Sequence, residues 1–255
     1  MLDKPQLDRY ARHIILPDVG INGQMRWQRA RVLIIGAGGL GSPVLAYLAA
    51  AGVGSQGRLG VSEADHIELS NLQRQLLYHS NDVGKAKQEV LQDTLQTINP
   101  DVNVTQEAKL TLDNAVAMVR GYDVVIDGSD NWRTRDAVNN ACTKLRVPLV
   151  YGAAEQWSGQ VSVFNVSDAS PCLRCVFGEP QEVSACAEVG VLGSLTGVVG
   201  SVMATEALKV ILGKPSLSGV LWHVDARDME VTRITLAKRA DCPVCAPKHL
   251  ADTAH

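Results

Sequence analysis

The sequence predicts an α/β fold, a doubly wound, Rossmann-like, mainly parallel sheet extended by antiparallel strands and held by a four-cysteine clip. Three observations carry that expectation. Short apolar runs alternate with helical stretches up to residue 155. The first apolar run ends directly in Gly36-Ala-Gly-Gly-Leu-Gly41. Beyond residue 155 the alternation gives way to strand-like runs around one long helix, and Cys-X-X-Cys pairs stand at Cys172 and Cys242.

The elements follow in order. Leu7–Gln28 reads as a helical arm bearing Arg9 and Arg12. Arg31–Ile35 is a buried strand, and Pro43 suits the first turn of a helix reaching about Ala51, stopped by Gly52 and Gly54. A second strand, Arg58–Ser62, leads to Glu63 and Asp65. Val83–Ile98 reads as a helix ended by Asn99-Pro100, because the residue before proline disfavours helical backbone. Val102 and Val104 alternate as a short strand, Leu112–Arg120 is helical, and Tyr122–Ile126 is a buried strand. Trp132–Leu145 is a helix and Pro148–Tyr151 a strand. In the second half Gln160–Val166, Gly219–Val224 and Glu230–Leu236 read as strands, with the helix Gly193–Leu212 among them. The expected organisation is an arm over 1–28, a nucleotide-binding half over 29–155, a partner-binding and cysteine-bearing half of the same domain over 156–246, and a flexible tail over 247–255.

Bulk properties narrow the function classes. The 255 residues are 46% hydrophobic, a globular balance, and the net charge of −3 supplies no global basic field for nucleic acid or anionic lipid. No signal peptide is visible after Met1. The apolar stretch Val189–Leu212 carries Ser194, Thr196, Ser201, Thr205, Glu206 and Lys209, which reads as a buried helix and not a membrane span. A cytoplasmic location is expected, where six cysteines favour metal or thiol chemistry over disulfides.

Gly36, Gly38 and Gly41 fit G-x-G-x-x-G between a strand and a helix, a turn that lets phosphate approach the backbone and the helix N-terminus. Glu63 stands where ribose hydroxyls find an acceptor. These features alone do not separate NAD from ATP. The cationic and polar residues that follow do: Ser70-Asn-Leu-Gln-Arg-Gln75 brings Asn71, Gln73 and Arg74, and Gly84-Lys-Ala-Lys87 brings Lys87. A triphosphate needs several such donors. Asp127-Gly-Ser-Asp-Asn131, directly after another strand, offers a carboxylate to Mg²⁺, a hard cation that pairs with polyphosphate oxygens.

Cys172-Leu-Arg-Cys175 and Cys242-Pro-Val-Cys245 supply four thiolates, the ligand set of a closed, structural Zn²⁺ site. The alternative is a pair of redox dithiols, but neither pair is expected to follow a strand and open a helix. Cys142 reads as a core residue. Cys186, in Ser184-Ala-Cys-Ala-Glu-Val-Gly190, is either a nucleophile or sulfur relay, or a non-essential thiol.

Taken together and in this order, Arg9-Tyr-Ala-Arg12-His-Ile-Ile-Leu16, Gly36-Ala-Gly-Gly-Leu-Gly41, Ser70-Asn-Leu-Gln-Arg-Gln75, Asp127-Gly-Ser-Asp-Asn131 and the two Cys-X-X-Cys pairs resemble the HesA/MoeB/ThiF family, relatives of ubiquitin-activating enzymes, over about residues 7–246. The length leaves no expected room for a rhodanese domain. The resemblance implies a homodimer in which Arg12 reaches the neighbouring subunit's ATP site. Gly36, Gly38, Gly39 and Gly41 would cradle phosphates, Glu63 the ribose, and Asn71, Gln73, Arg74 and Lys87 the triphosphate. Asp130, with Asn131 beside it, would hold Mg²⁺, and Cys186 matches the family's crossover cysteine. The implied catalytic set is Arg12, Arg74, Lys87, Asp130 and Cys186.

The implied activity is an ATP-dependent adenylyltransferase whose partner is a ubiquitin-like sulfur-carrier protein, ThiS- or MoaD-like, ending in Gly-Gly. Its carboxylate would be activated as an acyl-adenylate for thiocarboxylate formation, with a sulfur donor such as a cysteine desulfurase or rhodanese. The pathway would be thiamine or molybdopterin biosynthesis. One departure stands out: the family usually carries Asp-X-Asp after the second strand, and here it is Glu63-Ala-Asp65. The competing readings are an NAD-dependent oxidoreductase, opposed by the Arg74, Lys87 and Asp130 set, and a non-catalytic nucleotide-sensing scaffold, supported only by Glu63.

Overall fold

The computed structural model describes residues 2–179 and 189–246. Eight strands form one sheet in the order β3-β2-β1-β4-β5-β6-β7-β8. They are β1 Arg31–Ile35, β2 Arg58–Ser62, β3 Val104–Glu107, β4 Val124–Asp127, β5 Leu149–Glu155, β6 Ser158–Phe164, β7 Val220–Asp225 and β8 Glu230–Thr235. The pairs β3-β2, β2-β1, β1-β4 and β4-β5 are parallel. From β5 to β8 every pair is antiparallel. The parallel half with its antiparallel extension matches the expected fold class.

Chain direction across the sheet reverses between β1 and β4, the switch point where ligands of doubly wound sheets bind. Register puts the relevant strand ends level there. Ile35 pairs with Ser62 on one side and with Asp127 on the other. The loops starting at Gly36, Glu63 and Gly128 therefore leave the sheet side by side.

Helices among the described residues are α1 Lys4–Ile14, α2 Gly20–Arg29, α3 Gly41–Ala50, α4 Lys87–Ile98, α5 Ala115–Val119, α6 Trp132–Leu145, α7 Leu173–Phe177 and α8 Gly193–Ile211. Residue alternation along β1 feeds two cores. Val32 and Ile34 pack with Leu45, Leu48, Leu95, Val199 and Met203 of the α3, α4 and α8 side. Leu33 and Ile35 pack with Val125, Val138, Tyr151 and Phe164 on the other face. The helix α8 has the length and apolarity of a membrane span, yet Leu195, Val199, Met203 and Ala207 are buried against the sheet, as a core helix requires.

Several sequence expectations are corrected. The arm is two helices, because Pro17 interrupts it and α2 restarts at Gly20, whose φ is +59°. The helix expected from Val83 begins only at Lys87: Gly84 sits at φ +91° and Ala86 bridges to His66. The helix expected over Leu112–Arg120 is trimmed to α5, since Thr111 and Asn114 hydrogen-bond each other in a turn before it. The short α7 was not expected at all.

Candidate functional site

The glycine loop joins β1 to α3. Gly36 adopts φ +84°, a conformation that costs only glycine nothing, and a Cβ on Gly41 would stand 2.0 Å from the Gly36 carbonyl oxygen. No side chain caps the N-terminus of α3. Its first N–H groups and the positive end of its dipole therefore face the strand ends, ready for phosphate oxygens.

The loop is pinned from both sides at Ala37. Its N–H donates to Glu63 Oε2 at 2.9 Å, and its carbonyl accepts from the Tyr78 hydroxyl at 3.0 Å. Burial pushes the Tyr78 phenol up, and the Glu63 and Asp65 carboxylates push it further, so it stays protonated and donating. Glu63 Oε1 accepts from the N–H groups of Ala64 at 2.7 Å and Asp65 at 2.9 Å. Lys87 Nζ lies 3.7 Å from Glu63 Oε2 and 3.5 Å from Asp65 Oδ2. The Lys87 and Glu63 side chains are 5% and 7% exposed, whereas that of Asp65 is 69% exposed. Glu63 thus stands at the expected strand end, but its oxygens are already engaged by the backbone.

The segment after Glu68 folds over the loop. A Cβ on Gly39 would meet Arg74 Cδ at 3.3 Å, and Arg74 Nη1 donates to the Ser70 carbonyl at 2.9 Å. The Gln75 side chain lies over Gly38. Asn71 is half-buried and Gln73 exposed, and the Gln73 carbonyl abuts Gly193, so the start of α8 closes this side.

At the end of β4, Asp127 is fully buried and accepts from Ser129 N at 2.9 Å and Ser129 Oγ at 2.6 Å. Burial raises its pKa against the pull of the Arg135 guanidinium and of Ser129. Arg135 donates to the Ser129 carbonyl at 2.7 Å and the Tyr151 hydroxyl at 3.0 Å, which fixes the turn between them. Asn131 caps α6 by accepting from Thr134 N at 2.9 Å. Asp130 is exposed, and its carboxylate meets only the Asn131 amide, at 3.4 Å, among the described residues. An open carboxylate beside a phosphate cradle fits Mg²⁺, which takes one or two protein oxygens and completes its shell with phosphate and water.

Gly36, Gly38, Gly39, Gly41, Glu63, Asn71, Gln73, Arg74, Lys87, Asp130 and Asn131 thus lie around the carboxyl ends of the central strands β1, β2 and β4. Arg12 does not join them. Its helix packs by Arg9 on the Ile98 carbonyl and by Tyr10 on Asn99, at the C-terminal ends of α3 and α4. The ten residues of α3 separate that end from the glycine loop by about 15 Å. Cys186 lies outside the described residues. Tyr78 and Arg135 were not singled out from the sequence. A lone tyrosine carries no motif, although Arg135 follows the Asp127 turn closely enough to have been suspected.

The sulfurs of Cys172, Cys175, Cys242 and Cys245 all lie within 4.8 Å of one another. The Cys172–Cys242 and Cys175–Cys245 separations are 3.6 and 3.4 Å. A tetrahedral site with Zn–S bonds near 2.3 Å needs sulfurs about 3.8 Å apart, so four convergent thiols fit a closed metal site. Burial raises the Cys172 thiol, while at Cys242 burial is outweighed by the N–H groups of Cys245 and Val244. Cys172 occupies the N-cap position of the short α7 without a side-chain cap bond, and the preceding strand ends at Phe164, so this pair opens a helix but does not follow a strand directly. The convergence of the second pair on it still favours metal over a free dithiol.

Comparison with known proteins agrees with this geometry. The ThiF family pattern matches residues 10–244. The chain is 50% identical to the sulfur carrier protein adenylyltransferase of Thermus thermophilus, covering 95% of this chain and 92% of that one. It is 43% identical to the adenylyltransferase and sulfurtransferase MOCS3 of Culex quinquefasciatus, covering 96% of this chain but 56% of that protein. Among solved structures, E. coli MccB superposes with a TM-score of 0.80 at 22% identity, covering 97% of this chain and 74% of that one, a likeness of fold.

Proposed function

The chain belongs to the ThiF family and is an adenylyltransferase, and we propose that it activates the C-terminal Gly-Gly carboxylate of a ubiquitin-like sulfur-carrier protein with ATP. The observation that carries this reading is the convergence, at the level ends of β1, β2 and β4, of an uncapped helix N-terminus with Arg74, Lys87 and Asp130. A nicotinamide site has little use for that set of charges, and a triphosphate has use for all of it.

The carrier carboxylate is ionised at neutral pH and needs no general base. One of its oxygens attacks the α-phosphorus of ATP, the bond to the β-phosphate bridging oxygen breaks, and pyrophosphate leaves with that electron pair. The protein's task is to align two anions and offset their repulsion. The α3 N-terminus receives phosphate oxygens. Arg74 and Lys87 stabilise the charge gathering on the leaving group, Asn71 and Gln73 donate to the same oxygens, and the turn after β2 that carries Glu63 and Asp65 supplies the acidic acceptor for the sugar. Asp130, flanked by Asn131, would hold Mg²⁺, which supplies further charge neutralisation when bound.

The remaining parts of the reading rest on the family resemblance and the chemistry above. Arg12, remote from its own chain's loop, serves the site of a second copy in a homodimer. The four cysteines hold Zn²⁺ structurally, and Cys186 takes part in sulfur transfer from a donor such as a cysteine desulfurase or rhodanese. The second half bears the carrier, the enzyme works in the cytoplasm, and the carrier is ThiS-like or MoaD-like, serving thiamine or molybdopterin synthesis.

ATP–pyrophosphate exchange, run with each type of carrier and without one, tests the proposal. Carrier-dependent exchange is expected, and the better carrier identifies the pathway. A chain that binds ATP yet exchanges with neither would sink the proposal.

A further inference from the structure

Resting on the adenylating reading, we propose that Asp65, not Glu63, accepts the sugar hydroxyls of the nucleotide, and that Glu63 is a positioning residue for the glycine loop.

A carboxylate offers about four lone-pair sites. On Glu63, Oε1 takes two N–H groups, those of Ala64 and Asp65, and Oε2 takes the Ala37 N–H and faces Lys87 Nζ. Three N–H donors and the Lys87 ammonium at 3.7 Å take up most of that capacity on a side chain only 7% exposed, which leaves Glu63 poorly placed to accept two vicinal hydroxyls. A hydroxyl that displaced Ala37 N–H would leave a donor unpaired in a residue that is 0% exposed, which opposes the exchange. The bonds Glu63 makes have a purpose of their own. They tie the turn after β1 to the turn after β2, and Tyr78 secures the same Ala37 peptide by its carbonyl.

Asp65 has the complementary properties. Its backbone is held at both ends, with the N–H on Glu63 Oε1 and the carbonyl accepting from Lys87 N at 3.0 Å. Its side chain is nonetheless 69% exposed, with Lys87 Nζ at 3.5 Å as its one ion-pair partner among the described residues. Both carboxylates flank the same ammonium, so they stand no more than about 7 Å apart, and Asp65 presents its carboxylate to solvent from the same turn after β2. A carboxylate on a fixed backbone with open lone pairs is a preorganised acceptor for two vicinal hydroxyls. Where the family usually places two aspartates, the longer first acid turns back into the protein and the second takes over the sugar.

The test is the ratio of dissociation constants for ATP and 2′,3′-dideoxy-ATP, measured with Mg²⁺ on the intact chain and on Asp65→Ala, Asp65→Asn and Glu63→Gln. The wild type is expected to favour ATP by about tenfold or more, the scale of hydrogen bonds to a charged acceptor. Asp65→Ala should bring the ratio to within about twofold, with Asp65→Asn between. Glu63→Gln should keep the ratio while melting at lower temperature. An unchanged ratio in Asp65→Ala, or a ratio abolished by Glu63→Gln, overturns the proposal. Loss of both nucleotides by more than about 100-fold in Asp65→Ala, far beyond a sugar contact, also overturns it. Because Asp65 is exposed, its variants decide the matter even if Glu63→Gln does not fold. A wild type that binds ATP without discrimination sinks this inference alone. One that binds no nucleotide at all sinks the adenylating reading with it.

Discussion

The Arg174 guanidinium donates from Nε to Asp136 Oδ1 at 2.7 Å, joining the helix of the first Cys-X-X-Cys pair to the helix that begins beside Asp130 and Asn131. Both side chains are largely withdrawn from water, at 12% and 18% exposed. The Leu173 N–H on Asn139 Oδ1 and the Trp132–Phe177 ring contact reinforce the same junction. Arg174→Ala would leave Asp136 without its cation. A loss of about 1–3 kcal/mol of unfolding free energy is expected, measured by urea denaturation. A loss under about 0.5 kcal/mol, within the range of surface pairs, would show that the junction does not depend on the pair.

The cysteine cluster predicts metal content. Purified protein should carry about one Zn²⁺ per chain by elemental analysis, because four thiolates complete one tetrahedral shell. Cys245→Ser should lower that content and the melting temperature together. Metal-free protein whose thiols cycle reversibly between dithiol and disulfide would favour redox chemistry instead.

Asp130→Ala separates chemistry from folding. The carboxylate is exposed and contributes little to packing, so thermal stability and zinc content should match the wild type. Carrier-dependent exchange should fall by about 100-fold or more, the scale of losing a charge-stabilising group. Loss of zinc in this variant would mean that Asp130 is structural.

Glu206 sets an acid limit on stability. It is buried in α8, and burial alone would raise its pKa. The hydrogen bonds from Lys209, Ser216 and the Leu217 N–H outweigh that and hold it below its ordinary value of 4.5. The folded state then binds this proton less readily than the unfolded chain. The stabilisation is complete above about pH 4.5 and is lost as pH falls through the lower folded value. At pH 7, Glu206→Gln should be less stable by about 1–3 kcal/mol, and the gap should narrow as pH drops below about 4.5. A gap constant across melting curves from pH 3 to 7, a window of about 4 units spanning ordinary carboxylate values, would contradict this.

Legibility in the sequence followed the strength of the local signal. Arg31–Ile35 and Trp132–Leu145 are matched residue for residue. The first is an unbroken apolar run closed by glycine, and the second is capped by Asn131 and ends at Arg146 in the left-handed region. Boundaries slipped where short turns competed with helix. The helix that the pattern starts at Val83 is delayed to Lys87 by Gly84 and the His66–Ala86 bridge, and α7 depends on Asn139 and Asp136, far away in sequence.

The residue types of the nucleotide site were determined by sequence alone, because Gly36-Ala-Gly-Gly-Leu-Gly41, Arg74, Lys87 and Asp130 announce phosphate chemistry by identity and order. Which atoms remain free to meet a ligand was decided only by the tertiary structure. Glu63 and Asp65 look interchangeable as acids in the chain. Folding brings Ala37, Ala64 and Asp65 N–H groups onto one carboxylate and leaves the other exposed to solvent. The remoteness of Arg12 from its own glycine loop and the convergence of four sulfurs across 66 intervening residues are of the same kind. Both depend on how distant segments pack, and local sequence carries no record of the distance between them.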